Sequence, residues 1–225
     1  MTPVRVGLPD SGIDPSLQES IEEQQRFVLD GDGAVTMRPH RGDASGHGTA
    51  LARIIAATAP RACILSAEVF DAQVPAAPTV VAAGLAWLVE RGAVIVNMSF
   101  GLLADRKVLR AACSEALQAG VVLVAAAPAS GATVYPAAYA GVVRVTGDAR
   151  CAAGELSLLD DGRVDFGACP GPMGHIPHQT GAGSSLAAAH VTGQLADYLD
   201  GGGDTRSATS WLRGRCKYVG RERRT

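Results

Sequence analysis

The chain has 225 residues and a formal net charge of −2, with 47% hydrophobic but only 4% aromatic residues, so a core must be built from Ala, Val, Leu and Ile. That length suits one domain with a large core, and the near-neutral charge excludes a broad electrostatic surface for nucleic acid or membranes. No charged leader with an apolar run follows Met1, and no stretch has the length of a membrane span. The odd, scattered set Cys63, Cys113, Cys151, Cys169 and Cys216 argues against a disulfide framework and a zinc site. The expectation is a cytoplasmic protein with no metal or cofactor.

Short β-rich runs alternate with helical stretches. Residues 4–8 read as a strand, 17–25 as a polar surface helix, and 49–59 as an apolar helix ended by Pro60. Residues 63–69 are predicted as a strand, 79–90 as a helix and 93–97 as a strand of Val and Ile. A helix over 106–119, closed by Gly120, leads to buried strands at 121–125 and 142–145. Residues 155–166 read as a hairpin turning at Asp160-Asp161-Gly162. The last apolar helix stops at the glycines 201–203, and Asp204 caps a short helix through Trp211.

This alternation predicts an α/β fold of three layers, α/β/α, around a mostly parallel central sheet. The division expected is a main domain over 1–200, then a short helix and basic tail over 201–225. The tail from Arg213 to Arg224 reads as solvated and mobile, with partner docking as the alternative.

Three stretches carry candidate chemistry. Asp10, in "VRVGLPDSGID", is either a turn residue or a carboxylate at a strand end. His47, in "SGHGTALARIIAA", is either a loop histidine at a helix start or a base. In "GAGSSLAAAHVTG" the serines either cap an alanine-rich helix or supply a nucleophile. Asp10, His47 and Ser185 stand at strand ends or helix starts, where a parallel sheet gathers its site residues. A serine hydroxyl needs an imidazole to take its proton, and the imidazole needs a carboxylate to set its tautomer.

On these stretches, with "AEVFD", "VNMSFG", "VYPAAY" and "VDFGACPG" between them in order, the chain resembles the subtilisin-like serine proteases from Val4 to about Gly193. The resemblance implies that Asp10 orients His47, that His47 is the general base and acid, and that Ser185 attacks the scissile carbonyl. It also implies that Ser99-Phe100-Gly101 pairs with an extended protein or peptide substrate as an added strand. Ala125-Ala126-Ala127 would form the opposite wall of the specificity pocket, and Val134 would stand at its base.

One departure concerns the oxyanion. The family's asparagine donor is replaced in Ala126-Ala127-Pro128-Ala129, with Ser130 next, so the oxyanion region would hold the Ser185 backbone N–H, Ala129 and Ser130. The family's proline before the histidine of the serine motif is Ala189, and no prosegment precedes the first strand. "LDGDGAV" echoes a calcium loop but has Arg41 at its twelfth position, so a turn is expected. Arg41-Gly42-Asp43 carries no assigned role, and His175 and His178 read as rim residues rather than metal ligands.

The reading is a serine endopeptidase with one favoured substrate. The prosegment-free chain and altered oxyanion loop resemble the members that remove a leader peptide during maturation of quinohemoprotein amine dehydrogenase. The rival is a pseudoprotease that binds a peptide without cutting it.

Overall fold

In the computed structural model, residues 2–71, 77–174 and 183–222 are described. Among these, ten strands form one sheet: β1 (Arg5–Asp10), β2 (Ile21–Leu29), β3 (Val35–Arg38), β4 (Cys63–Glu68), β5 (Ile95–Met98), β6 (Val122–Ala126), β7 (Val143–Gly147), β8 (Leu156–Leu158), β9 (Phe166–Ala168) and β10 (Tyr218–Val219). The helices are α1 (His47–Thr58), α2 (Pro78–Glu90), α3 (Lys107–Gln118), α4 (Ser184–Asp200) and α5 (Ala208–Gly214). The strand order is β10-β8-β9-β7-β6-β5-β1-β4-β2-β3. Pairing is parallel except at β2–β3 and β8–β9.

The central strands are apolar on both faces because helices cover both. Val6, Leu8, Ile95, Val122 and Val124 pack in a core with Leu51, Ile54 and Ile55 of α1 and the alanines of α4. Their neighbours Val96, Leu123 and Ala125 point the other way, into a core with Val80, Leu85 and Leu88 of α2 and Leu109 of α3. The period of two along each strand therefore feeds two cores, giving the expected three layers. Small residues let the helices approach closely. A Cβ on Gly193 of α4 would lie 2.7 Å from the Thr58 Cβ of α1, so that crossing admits only glycine without a shift.

The helix expected over 17–25 is absent. Residues 15–20 form a 3-10 turn, and β2 follows, parallel to β4. Glu and Gln favour helix locally, but β2 gains a ladder on β4 from Ile21 to Arg26, with one irregularity after Ile21, and its Arg26 Nε pairs with the buried Glu68 of β4 at 2.9 Å. The calcium-loop echo is the turn of the β2–β3 hairpin: Asp30 N–H donates to the Ala34 carbonyl at 2.8 Å, and Gly33 has φ 87°. The hairpin expected over 155–166 forms as β8–β9, with Asp160 at φ 42° and Gly162 at φ 81°.

The tail is exposed, as expected, but over its described part it is tied to the sheet rather than free. β10 adds to β8 in parallel, Arg213 pairs with Asp160 at 2.9 Å, and Lys217 pairs with Glu155. Just ahead of it, Ala208 and Leu212 are buried in the same core as α1 and α4. The acidic partners lie some 50–60 residues upstream, which is why the basic run read alone suggested a free tail. Residues 223–225 lie outside the described residues.

Candidate active site

Asp10 closes β1 and is 1% exposed; His47 opens α1. Asp10 Oδ1 and His47 Nδ1 are 2.8 Å apart. With the carboxylate accepting from Nδ1–H, the imidazole presents Nε2 as a proton acceptor. The Ser11 backbone N–H also donates to Asp10 Oδ1, at 2.8 Å. Glycine permits this approach: a Cβ on Gly48 would sit 2.2 Å from the Gly12 carbonyl oxygen and 3.3 Å from Asp10 Oδ1.

The start of α1 is held by a residue to which the sequence reading assigned no role. Its N-cap Gly46 has φ 73° and offers no side chain. Asp43 supplies the acceptors instead, taking Gly46 N–H at 2.9 Å, Thr49 N–H at 2.8 Å and the Thr49 hydroxyl at 2.6 Å. The signal was a carboxylate a few residues ahead of a helix start. The Asp10 hydrogen bond raises the His47 pKa above its ordinary 6.5, partial burial opposes this, and the Asp10 and Asp43 charges add to the rise.

The two serines of α4 separate cleanly. The Ser184 hydroxyl donates to the Ala127 carbonyl at 2.7 Å, which ties α4 to the end of β6; the N-cap is Gly183 and no side chain caps the helix. Ser185 Oγ donates to the Ser99 carbonyl at 3.2 Å, and among the described residues no hydrogen bond joins it to His47. A buried polar chain fixes its backbone. Thr192 Oγ1 donates to Asn97 Oδ1 at 3.0 Å, Asn97 Nδ2 to Ser99 Oγ at 2.9 Å, and Ser99 Oγ to the Ser185 carbonyl at 3.1 Å. Asn97 and Thr192 were not singled out from sequence, since each reads locally as one more residue of an apolar strand or helix. Gly46 and Leu186, the neighbours of His47 and Ser185, line one cavity of about 820 Å³ between the starts of α1 and α4.

The expected substrate walls lie at adjacent strand ends. Ser99-Phe100-Gly101 follows β5, and the 125–127 segment closes β6, with the Ala125, Ala126 and Ala127 side chains buried. Val134 sits against Gly101: a Cβ added there would be 3.1 Å from the Val134 Cβ. Leu102 and Tyr135 exchange backbone hydrogen bonds of 2.8 and 2.9 Å, locking Val134 beside that wall. Ala129 and Ser130 are exposed, and the Ala129 side chain is a methyl group with no hydrogen-bond donor. His175 and His178 lie outside the described residues.

This arrangement defines a class: a parallel α/β domain with a carboxylate–imidazole pair and a helix-start serine gathered at the carboxyl ends of its strands. The subtilase family model matches residues 2–201, and the chain belongs to that family of serine endopeptidases. It is 31% identical over 213 residues to the minor extracellular protease Epr of Bacillus subtilis (strain 168), covering 86% of this chain but only 31% of that protein. It is 30% identical over 209 residues to thermitase of Thermoactinomyces vulgaris, covering 84% of this chain and 72% of that one. A crystal structure of a lanthipeptide protease shares the fold, with TM-score 0.70 at 21% identity, over 94% of this chain and 79% of that chain.

Proposed function

We propose that the protein is a serine endopeptidase that cuts an extended segment of one favoured protein or peptide substrate. The observation that carries this reading is the 2.8 Å Asp10–His47 bond, with Ser185 in the first turn of α4 and the Ser184 hydroxyl occupied by Ala127. Ser185 Oγ attacks the scissile carbonyl as His47 Nε2 takes its proton. Asp10 stabilises the imidazolium, and His47 then returns the proton to the leaving amine. The Ser185 backbone N–H, in the first turn of α4, faces no intrahelical acceptor and is placed to meet the oxyanion. For this step Ser185 Oγ leaves the Ser99 carbonyl for His47 Nε2, as catalytic hydrogen bonds often form only when substrate is bound.

Leader-peptide removal is the finer reading: weak oxyanion assistance suits a substrate whose remote contacts position the bond. We place the protein in the cytoplasm. Its five cysteines are free, and burial pushes the Cys113 and Cys151 thiols up to about 12. Among the described residues no helix is long and apolar enough to cross a membrane. Two observations favour the rival, a peptide-binding pseudoprotease: Ala129 in the donor's place and the Ser185–Ser99 bond. A fluorophosphonate probe separates the two. Stoichiometric labelling of Ser185, lost in His47→Ala, is expected of the enzyme; folded protein that binds peptide and stays unlabelled would establish the rival.

The pH profile follows from the raised His47 pKa. The base form is lost as pH falls, so kcat/KM is expected to decline through a midpoint above 6.5. Asp43→Asn removes a negative charge from the imidazole's surroundings and is expected to move that midpoint down. A pH–rate profile of both proteins checks this, and a midpoint below 6.5 in the parent would contradict the assigned base.

Val134 narrows the cleft beside Gly101, so Gly, Ala or Ser is expected before the cut bond. Val134→Gly should raise cleavage after Leu or Phe by roughly tenfold or more. Peptides varied at that position provide the measurement; parent enzyme that already prefers Phe to Ala refutes the mapping.

A further inference from the structure

The loop after β6 is fastened from outside. Residues 128–132 read Pro-Ala-Ser-Gly-Ala, and among the described residues no backbone–backbone hydrogen bond anchors 128–133. Two guanidinium groups grip it instead. Arg221 Nη1 donates to the Ala129 carbonyl at 2.8 Å, and Arg163 Nη2 donates to the Gly131 carbonyl.

Asp161 organises both. Its Oδ1 accepts the Arg163 and Val164 backbone N–H groups at 3.0 Å each, and its Oδ2 accepts Arg221 Nε at 2.6 Å. Arg221 is itself placed by β10: the neighbouring Gly220 donates to the Leu158 carbonyl at 2.8 Å and accepts from Arg150 Nη2 at 2.6 Å. A trans peptide is planar, with N–H opposite C=O. Holding the Ala129 carbonyl therefore also sets the direction of the Ser130 N–H.

We infer that Arg221, held by Asp161, is a positioning residue for the reaction: the C-terminal strand straps down the loop standing where the oxyanion donor belongs. Among the described residues the Ala129 peptide plane is held by Arg221, and Arg163 fastens the loop two residues further on. Electrostatic assistance depends on donors already in place. This inference rests on the serine endopeptidase reading above.

The test compares the parent with Arg221→Ala, Arg221→Lys, Asp161→Asn and the Arg221→Ala/Asp161→Asn double variant. A succinyl tetrapeptide p-nitroanilide with Ala before the cut gives kcat and KM. A peptide boronate of the same sequence, whose tetrahedral adduct on Ser185 mimics the oxyanion, gives an inhibition constant. Arg221→Ala is expected to lower kcat about tenfold with KM within about twofold, and to weaken the boronate by the same factor. Arg221→Lys should recover part of the loss, and the double variant should be no worse than either single one, as for one coupled unit. Unchanged kcat and boronate affinity in Arg221→Ala of an active parent overturns the inference alone, as does a rise in KM with kcat intact. A parent inert to both substrate and boronate overturns the endopeptidase reading, and the strap falls with it. The Arg221 side chain is 44% exposed, and the Lys variant keeps the test decisive should the Ala variant melt early.

Discussion

Ser185→Ala is expected to lower peptide hydrolysis by roughly 10⁶-fold, the scale that loss of the nucleophile or the base has in this same family. The fold should survive. Among the described residues the bond lost is Oγ to the Ser99 carbonyl, at 3.2 Å in a part-buried setting, which costs about 1 kcal/mol. The chain from Thr192 through Asn97 and Ser99 ends on the Ser185 carbonyl and does not involve its hydroxyl. Peptide affinity should therefore change little while turnover vanishes. Ser184→Ala should do the opposite: it loosens the tie to Ala127 and lowers the melting temperature, but keeps fluorophosphonate labelling. Steady-state kinetics with thermal melts on both variants decide the matter. Turnover surviving in Ser185→Ala and lost in Ser184→Ala would falsify the assignment of the nucleophile.

The paired change Pro128→Gly with Ala129→Asn is expected to raise kcat on short peptides by up to about 10²-fold. One oxyanion donor is worth about 10²–10³ in turnover, a figure that comes from this family. Ala129→Asn alone is expected to gain little, because Pro128 fixes φ and directs the new amide. Arg221 holds the backbone carbonyl of residue 129, so the added side chain enters a loop already anchored on its far side. The gain should be larger on short peptides than on a long cognate substrate, whose remote contacts already offset the missing donor. The measurement is kcat for both substrates in both proteins, with a tenfold gain on the short peptide as the threshold. No gain would mean that another group already fills the hole.

These two outcomes also bear on how the family's chemistry persists in this chain. The machinery at Asp10 and His47 is tightly built, with Gly12, Gly48 and Asp43 each constrained by its neighbours. On the proposed oxyanion side, the small-residue loop after β6 is held by Arg163 and by Arg221.

Much of the frame was legible from sequence because it depends on local periodicity. Val4 to Leu8, the Val–Ile run at 93–97, the run at 121–125 and the alanines after Ser185 announce burial on two faces, and β1, β5, β6 and α4 stand there. The close backbone approach at Gly12 and Gly48, beside Asp10 and His47, was not read from the sequence, because the atoms that a Cβ would meet belong to a distant segment. What local pattern could not decide was every feature whose partner lies far along the chain. Residues 21–29 carry helix-favouring Glu and Gln and became a strand because β4 offered a ladder and Glu68 a partner for Arg26. Local pattern does not distinguish Ser184 from Ser185 on a helix start; the family resemblance chose Ser185, and the tertiary structure gives the two hydroxyls different partners, the carbonyls of Ala127 and Ser99. The basic tail read as free because Glu155, Asp160 and Asp161 precede it by more than 50 residues. Periodicity records which side of an element meets apolar surroundings, whereas a hydrogen bond or ion pair depends on which element the topology brings opposite, and that only the tertiary structure decides.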